Sequence, residues 1–398
     1  DRTMDGRESR YQAFLEKLSR DHLRRNLTDV AAKDARTLEV GGRRYVNLAS
    51  NDYLGLRFHE ALIERACAWA REFGTGSGAS RLVTGNLELF ARIERKVAAL
   101  KNKPAALVMA SGFQANAGVL KALFDKTVIG AEPLVFADRL NHASMHFGCQ
   151  AAGVSQVRYR HLDTAHLAEL LDRHATDPRP KFILTESVFS MDGDVAPIAE
   201  IAKLAREHDA MLVVDDAHAT GILGEGGRGL SDGADLVIGT FSKALGSFGA
   251  YVACSETMRD YFVNRCGALI YSTALPPQVL GAIDAALDLL PSLDDERKRV
   301  ADLSAHFRRE ARGLGYGTAG SSTQIVPVVA GTADAALRLS EALRQAGYWA
   351  TAIRPPTVPQ GTSRVRCVFT AAHGSEDVDG LSEALAASAR HLTDLAST

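Results

Sequence analysis

The sequence predicts an α/β protein: a large domain with a mostly parallel central sheet, helices on both faces, and a smaller α+β unit after it. Three observations carry that prediction. Short apolar runs recur between about residues 105 and 255 and alternate with helix-like stretches: AALVMA at 105–110, PLVFA at 133–137, KFILT at 181–185, MLVV at 211–214 and LVI at 236–238. Continuous apolar runs of this length mark strands buried on both faces, although periodicity alone leaves buried helix open. Strand and helix patterns in alternation mark a parallel sheet. Finally, polar chemistry follows the runs directly. One feeds Asp215, Asp216 and His218; the next feeds Thr240, Ser242 and Lys243. Ligands of open α/β sheets collect beyond the carboxyl ends of the strands. A lysine for an aldehyde and a carboxylate for a ring nitrogen, each placed there, suit pyridoxal 5'-phosphate.

Length and composition bound the rest. At 398 residues the chain has room for a large core and a second domain. With 46 Lys and Arg against 48 Asp and Glu, no global basic field draws in nucleic acid. No apolar run approaches the roughly 18 residues of a membrane span. The chain opens on Asp1, so a native start is expected upstream, and DRTMDGRESR has no apolar signal core. Cys67, Cys149, Cys254, Cys266 and Cys367 are dispersed, without a CxxC pair. That pattern predicts reduced thiols in a cytoplasmic protein and no metal site.

In chain order, residues 10–26 place Phe14, Leu15, Leu18 and Leu23 at helical spacing. They predict an amphipathic arm packed on the body, with Arg24 and Arg25 solvated or one of them reaching an anionic substrate. Residues 38–48 predict a hairpin about Gly41-Gly42. FGTGSGASRLVTG at 73–85 supports backbone approach to a ligand and a flexible loop equally. It lacks the strand–GxGxxG–helix context of a dinucleotide site. Ser111-Gly112-Phe113, between a strand and a helix, reads as an ordinary βα turn or as a phosphate-binding helix start. A helix begins near Ile198, a long helical stretch covers 278–315, and further helices lie near 333–346 and from Ser375. The predicted domains are an arm and hairpin at 1–49, a large domain at 50–290 and a small one at 291–398.

Nine motifs in order resemble the α-oxoamine synthases, pyridoxal-phosphate enzymes of fold type I. They are SNDYLGL at 50–56, GSGASRLVTG at 76–85, SGFQAN at 111–116, DRLNHAS at 138–144 and TESVFSMDGDVAP at 185–197. DDAHATG at 215–221, TFSKALG at 240–246, YSTALPP at 271–277 and AIRPPTVPQGTSRVR at 352–366 complete the series. The resemblance implies a transferase that condenses an amino acid with an acyl thioester, with loss of CO2. IRPPTVP points to the branch joining L-alanine to a pimeloyl group carried by CoA or a carrier protein. Relatives joining glycine to acetyl- or succinyl-CoA, or serine to a long acyl chain, are the neighbouring readings. A pyridoxal aminotransferase is the different class.

Roles follow from chemistry and from the resemblance. Lys243 would hold the cofactor through its amine and then move a proton, which requires a neutral amine. Asp215 would keep the pyridine nitrogen protonated, while Asp216 reads as a helix cap. By resemblance, His142 stacks on the ring, and His218 and Ser190 bond its phenolic side. Gly112, Phe113 and Thr240 meet the phosphate, and Ser272 and Thr273 reach the phosphate of the neighbouring subunit, implying a homodimer. Arg366, assisted by Asn51, would bind the amino acid's carboxylate; Thr357 and Arg24 map onto other substrate positions. The chain departs from the family at TFSKALG and at Met145-His146-Phe147, whose bulk is expected along the acyl tunnel.

Overall fold

The computed structural model describes residues 6–396, and its chain falls into two compact units. One comprises 51–190 and 194–300. The other gathers the chain through Ser50, the short stretch 191–193, and everything from Ala301 onward. The arm and hairpin therefore share a unit with the C-terminal residues, because Tyr348–Trp349 pairs in parallel with Arg43–Asn47.

The larger unit is built on seven strands. Their order is Ala105–Met109, Ala250–Cys254, Leu236–Thr240, Ala210–Asp215, Lys181–Glu186, Leu134–Asp138 and Gln156–Tyr159. The central strands are apolar and buried nearly throughout, which is what helices on both faces require. Ala250–Cys254 runs against its neighbours. The chain returns to it through the short 241–249 turn, with no crossover helix to reverse its direction. One side of the sheet is packed by Val119, Leu120, Phe124 and Leu123 with Leu107, Val135, Leu184 and Val213. Because the other six strands point the same way, Met109, Asp138, Tyr159, Glu186, Asp215 and Thr240 all end on one edge. The sheet thus sets six loops along that edge.

The second unit holds the antiparallel strands Ile325–Gly331, Ser363–Val368 and Thr351–Ile353. Phe307, Leu343, Phe369, Val378 and Leu381 close its core with Leu48. Its hairpin, Thr37–Val40 with Arg43–Asn47, turns at Gly41 (φ 56°) and Gly42 (φ 80°). Both residues sit in the left-handed region that a two-residue turn of this twist requires. The N-terminal helix is shorter than its periodicity predicts: Ser9–Arg20, with no buried residue, Phe14 and Tyr11 exposed, and His22 at φ 56° ending it. Leu15, Leu18 and Leu23 are half-buried, and Arg25 bonds Thr357, so the arm is less buried than expected. The 278–315 stretch is likewise broken, into Pro277–Leu289, a short 3-10 turn at Leu290–Ser292 and Asp294–Gly313. Pro291 sits at the break, where it removes a backbone donor. Among the described residues no helix is long and apolar enough to cross a membrane.

Candidate functional site

The loop after Leu236–Thr240 folds back on itself before the next strand. The Thr240 hydroxyl donates to the Gly249 carbonyl (2.8 Å) and accepts from the Ser242 amide (3.0 Å). Gly246 N–H closes the turn onto the Lys243 carbonyl at 2.9 Å. Gly246 is required there: at φ 66°, a Cβ would lie 2.5 Å from the backbone nitrogen of Arg57. The result is a tight turn that places Lys243 in the wall of a cleft.

Asp215 and Asp216 end the neighbouring strand and part company by strand alternation. Asp215 accepts from Asn116 Nδ2 (2.7 Å) and from the Ala217 amide (2.9 Å). Asp216 is no helix cap: the chain after it runs into turns, and no helix begins there. Asp216 is instead sealed against Lys101, with Oδ2 2.6 Å from Nζ and both side chains fully buried.

His142 opens the helix Ala143–Ala151. Its Nδ1 lies 2.6 Å from Ser144 Oγ and accepts the Ser144 amide at 3.2 Å. Burial holds this imidazole below its usual range, helped by Lys243 and His146 and opposed by Asp215. Glu186 lies opposite Asp215 in the strand register and accepts the His142 amide at 2.9 Å. Burial, then Asp215, push its carboxyl well above the ordinary carboxylate range. His218 Nδ1 is 2.6 Å from the Tyr53 hydroxyl, which bonds Asn51 at 3.3 Å.

One cleft of about 390 Å³, open mouth included, gathers Lys243, Asp215, His142, His218, Gly112 and Phe113. These residues fit pyridoxal 5'-phosphate. The cleft offers an amine and a carboxylate from adjacent strand ends, and an imidazole beside them. Gly112–Leu123 adds a helix start whose first N–H groups have no intrahelical partner. The Thr240 side chain stands 3.8 Å from where a Gly112 Cβ would lie, so its hydroxyl belongs to the turn beside that helix start.

The other predicted residues lie elsewhere. Ser190 follows a bridge between Val188 and Val195. Ser272 and Thr273 line a separate cavity with Arg81 and Leu275, where Thr273 bridges Ser80. Of the departures, Met145 is buried in the core, His146 bonds Gln156, and Phe147 is half exposed, 5.4 Å from Phe113.

Within the second unit the structure puts Arg25, not Arg24, at Thr357: Nη2 donates to the threonine hydroxyl at 3.0 Å. Arg24 bonds Ser19 instead. Arg354 shares the Arg25 cavity, as does Arg344, which stacks on Trp349 at 4.1 Å. Arg366 is buried on the Ser363–Val368 strand.

Asn116, Ser144, Glu186 and Tyr53 are site residues that sequence reasoning passed over. Each lies inside a quoted motif, which was the available signal; Glu186 ends a strand, and Asn116 and Ser144 lie on the helices that follow strands.

Residues 43–385 match the sequence model of the Aminotransferase class I and II family. The 8-amino-7-oxononanoate synthase of Gluconacetobacter diazotrophicus is 52% identical over 96% of this chain and 97% of its own. That of Geobacter metallireducens is 46% identical over 92% and 94%. Among solved structures, a serine palmitoyltransferase from S. paucimobilis with a bound PLP–myriocin aldimine superposes with a TM-score of 0.89 at 26% identity. It covers 98% of this chain and 100% of that one. An 8-amino-7-oxononanoate synthase from Francisella tularensis gives 0.75 at 25% identity, over 88% and 99%. With its cleft and these likenesses together, the chain belongs to the aminotransferase class I and II family, among the pyridoxal-phosphate-dependent α-oxoamine synthases.

Proposed function

We propose that the enzyme condenses L-alanine with a pimeloyl thioester, releasing CO2 and the thiol, to give 8-amino-7-oxononanoate. The observation that carries the reading is the cleft onto which Lys243, Asp215, His142 and His218 converge from three strand ends. Likeness at 46–52% identity to synthases of that name adds to it.

When bound, pyridoxal phosphate supplies an electron sink for the charge left on the amino acid's α carbon. Asp215 serves by holding a proton at the pyridine nitrogen; a buried anion favours that proton. Lys243 moves a proton at the substrate α carbon, a task for a neutral amine. Arg366 and Asn51 are the candidates for the α-carboxylate, the arginine for a bidentate grip that a lysine cannot offer. A pimeloyl group ends in a free carboxylate, and the Arg25, Arg344 and Arg354 cavity suits it. A palmitoyl chain has nothing for three guanidiniums to bind. Ser272 and Thr273 lie outside the Lys243 cleft of their own chain, which supports a homodimer in which they serve the partner's phosphate. Cytoplasmic residence accords with the reaction.

The test is a matrix of amino acids against acyl thioesters of different length, scored by thiol release. Release from pimeloyl-CoA with alanine is the expected strongest entry. Transamination of alanine without thiol release would instead make the protein an aminotransferase. Lys243→Ala should abolish the visible absorption of the loaded protein.

A further inference from the structure

Two buried side chains, Asn116 and Ser144, join Asp215 to His142, and the order of their protons is set by chemistry. A carboxylate only accepts, so the group 2.7 Å from Asp215 Oδ2 must be the Asn116 amide nitrogen, as found. The same nitrogen donates its second proton to Ser144 Oγ at 3.0 Å. Ser144 Oγ, now an acceptor from Asn116, turns its own proton to the remaining neighbour, His142 Nδ1, at 2.6 Å. A backbone N–H cannot accept, so the Ser144 amide 3.2 Å from Nδ1 requires that nitrogen to be bare. Two independent donors thus converge on Nδ1. Asn116 Oδ1 is buried with no hydrogen-bond partner, so its side chain is turned for the sake of the two donations. Asn116 and Ser144 are 2% and 0% exposed, so water does not compete for the bonds Asn116 makes to Asp215 and Ser144.

We propose that Asn116 and Ser144 are positioning residues that hold His142 as the neutral tautomer protonated on Nε2 and tie its orientation to Asp215. This rests on the cofactor reading in giving the ring a purpose: the imidazole covering the cofactor is a donor with one defined face, not a base. Moving a proton off Nε2 would require Nδ1 to gain one against both donors. The chain also couples the two ends. Withdrawing the Asp215 charge weakens the acceptor that orients Asn116, and through it Ser144. Besides Asp215, the charged or titratable groups about the ring are Lys243, Glu186 and His146.

The test is long-range proton–nitrogen NMR on protein labelled with ¹⁵N-histidine, cofactor-free and loaded, with the His142 signals assigned by their loss in His142→Gln. Wild type should show a protonated Nε2 and a bare Nδ1 in both forms. Ser144→Ala should raise the His142 titration midpoint by roughly 0.5–1 pH unit, the equivalent of one hydrogen bond lost to the neutral ring. Asn116→Ala should shift it the same way by less, and it decides the matter if Ser144→Ala does not fold. A proton on Nδ1 in wild type overturns the proposal, as does a folded variant that titrates like wild type. Failure of the cofactor reading looks different: wild type would take up no pyridoxal phosphate, while the tautomer of the cofactor-free protein would still be measured.

Discussion

Two carboxylates one residue apart show how the same chemistry is spent in opposite ways on the two sides of one strand end. Asp216 faces a closed assembly. Lys101 Nζ donates to its Oδ2, to Thr220 Oγ1 at 2.9 Å and to the Arg228 carbonyl at 2.7 Å, using all three ammonium protons. Asp216 Oδ1 accepts from Ser187 Oγ at 2.5 Å and from the Leu230 amide at 3.1 Å. Nothing is left over to bind a ligand. Asp215 meets only amide donors among the described residues, and faces a cleft that also holds an amine and an imidazole. A saturated buried charge is architecture; a buried charge with capacity remaining is a site. The pairs are distinguished by their partners, not by their residue types.

That contrast can be broken by exchanging the losses. Asp215→Asn should leave the melting temperature near that of wild type while turnover falls by roughly 10²–10³-fold, the cost of about 3–4 kcal/mol in holding the ring proton. A variant that melts early with normal turnover would show that Asp215 is architecture too. Lys101→Met should do the reverse. It strands the Asp216 charge in the interior, at a cost of about 3–5 kcal/mol of stability. The lost charge should be legible in denaturant midpoints before it is legible in kcat. Adding Asp216→Asn to Lys101→Met should cost less than the two single changes summed, because the second removes the orphan the first creates.

The second unit sharpens the comparison at lower amplitude. Arg25 and Arg24 are adjacent, yet only Arg25 bonds Thr357. Arg25→Gln should raise the KM for a dicarboxylic acyl thioester by up to about tenfold, the scale of one exposed charged hydrogen bond, with kcat kept. Arg24→Gln should leave both constants unchanged. Equal effects from the two would place the acyl end elsewhere.

These contrasts also mark what was legible in the sequence. Strand-end placement was: the apolar runs before Asp215 and Lys243 needed no tertiary information to predict a shared ligand. The two-glycine hairpin was legible too, since only a turn with two positive φ values asks for Gly41-Gly42. Lys101 was not. In ALKNKP it looks like a solvated helix-end lysine, and only folding reveals that it is fully buried. Asn116 and Ser144 were inside quoted motifs but carried no role, because a hydrogen-bond chain across two helices and a strand end has no spacing in one dimension. The reversed strand Ala250–Cys254 escaped for a similar reason: its direction is set by a short return loop, not by its own residues. Asp216 was misread as a cap because local rules for Asp near a helix start say nothing about a lysine 115 positions away.

The smallest expected effect comes from a charge pair that local rules also miss. His161 Nδ1 is 2.9 Å from Asp138 Oδ1, and Nε2 is 2.7 Å from Asp194 Oδ2. Two carboxylates accept from both nitrogens, so the ring is an imidazolium, and its pKa is raised to about 10 against 6.5 for a free imidazole. Burial opposes the charge and the two acids overcome it. Because the folded value is the higher one, the stability this group contributes is fully present below pH 6.5 and is gone once the pH has passed about 10. Between those limits the unfolded chain has released the proton and the folded chain has not, so stability falls as pH rises. His161→Gln lacks that slope. Its melting temperature should lie below that of wild type at pH 6 and converge on it as the pH approaches 10, and a constant gap across the range would mean that His161 is neutral in the folded protein. Asp138 ends the strand that leads to His142, so the same melts, repeated on the loaded protein, show whether that cation steadies the cleft or only the fold.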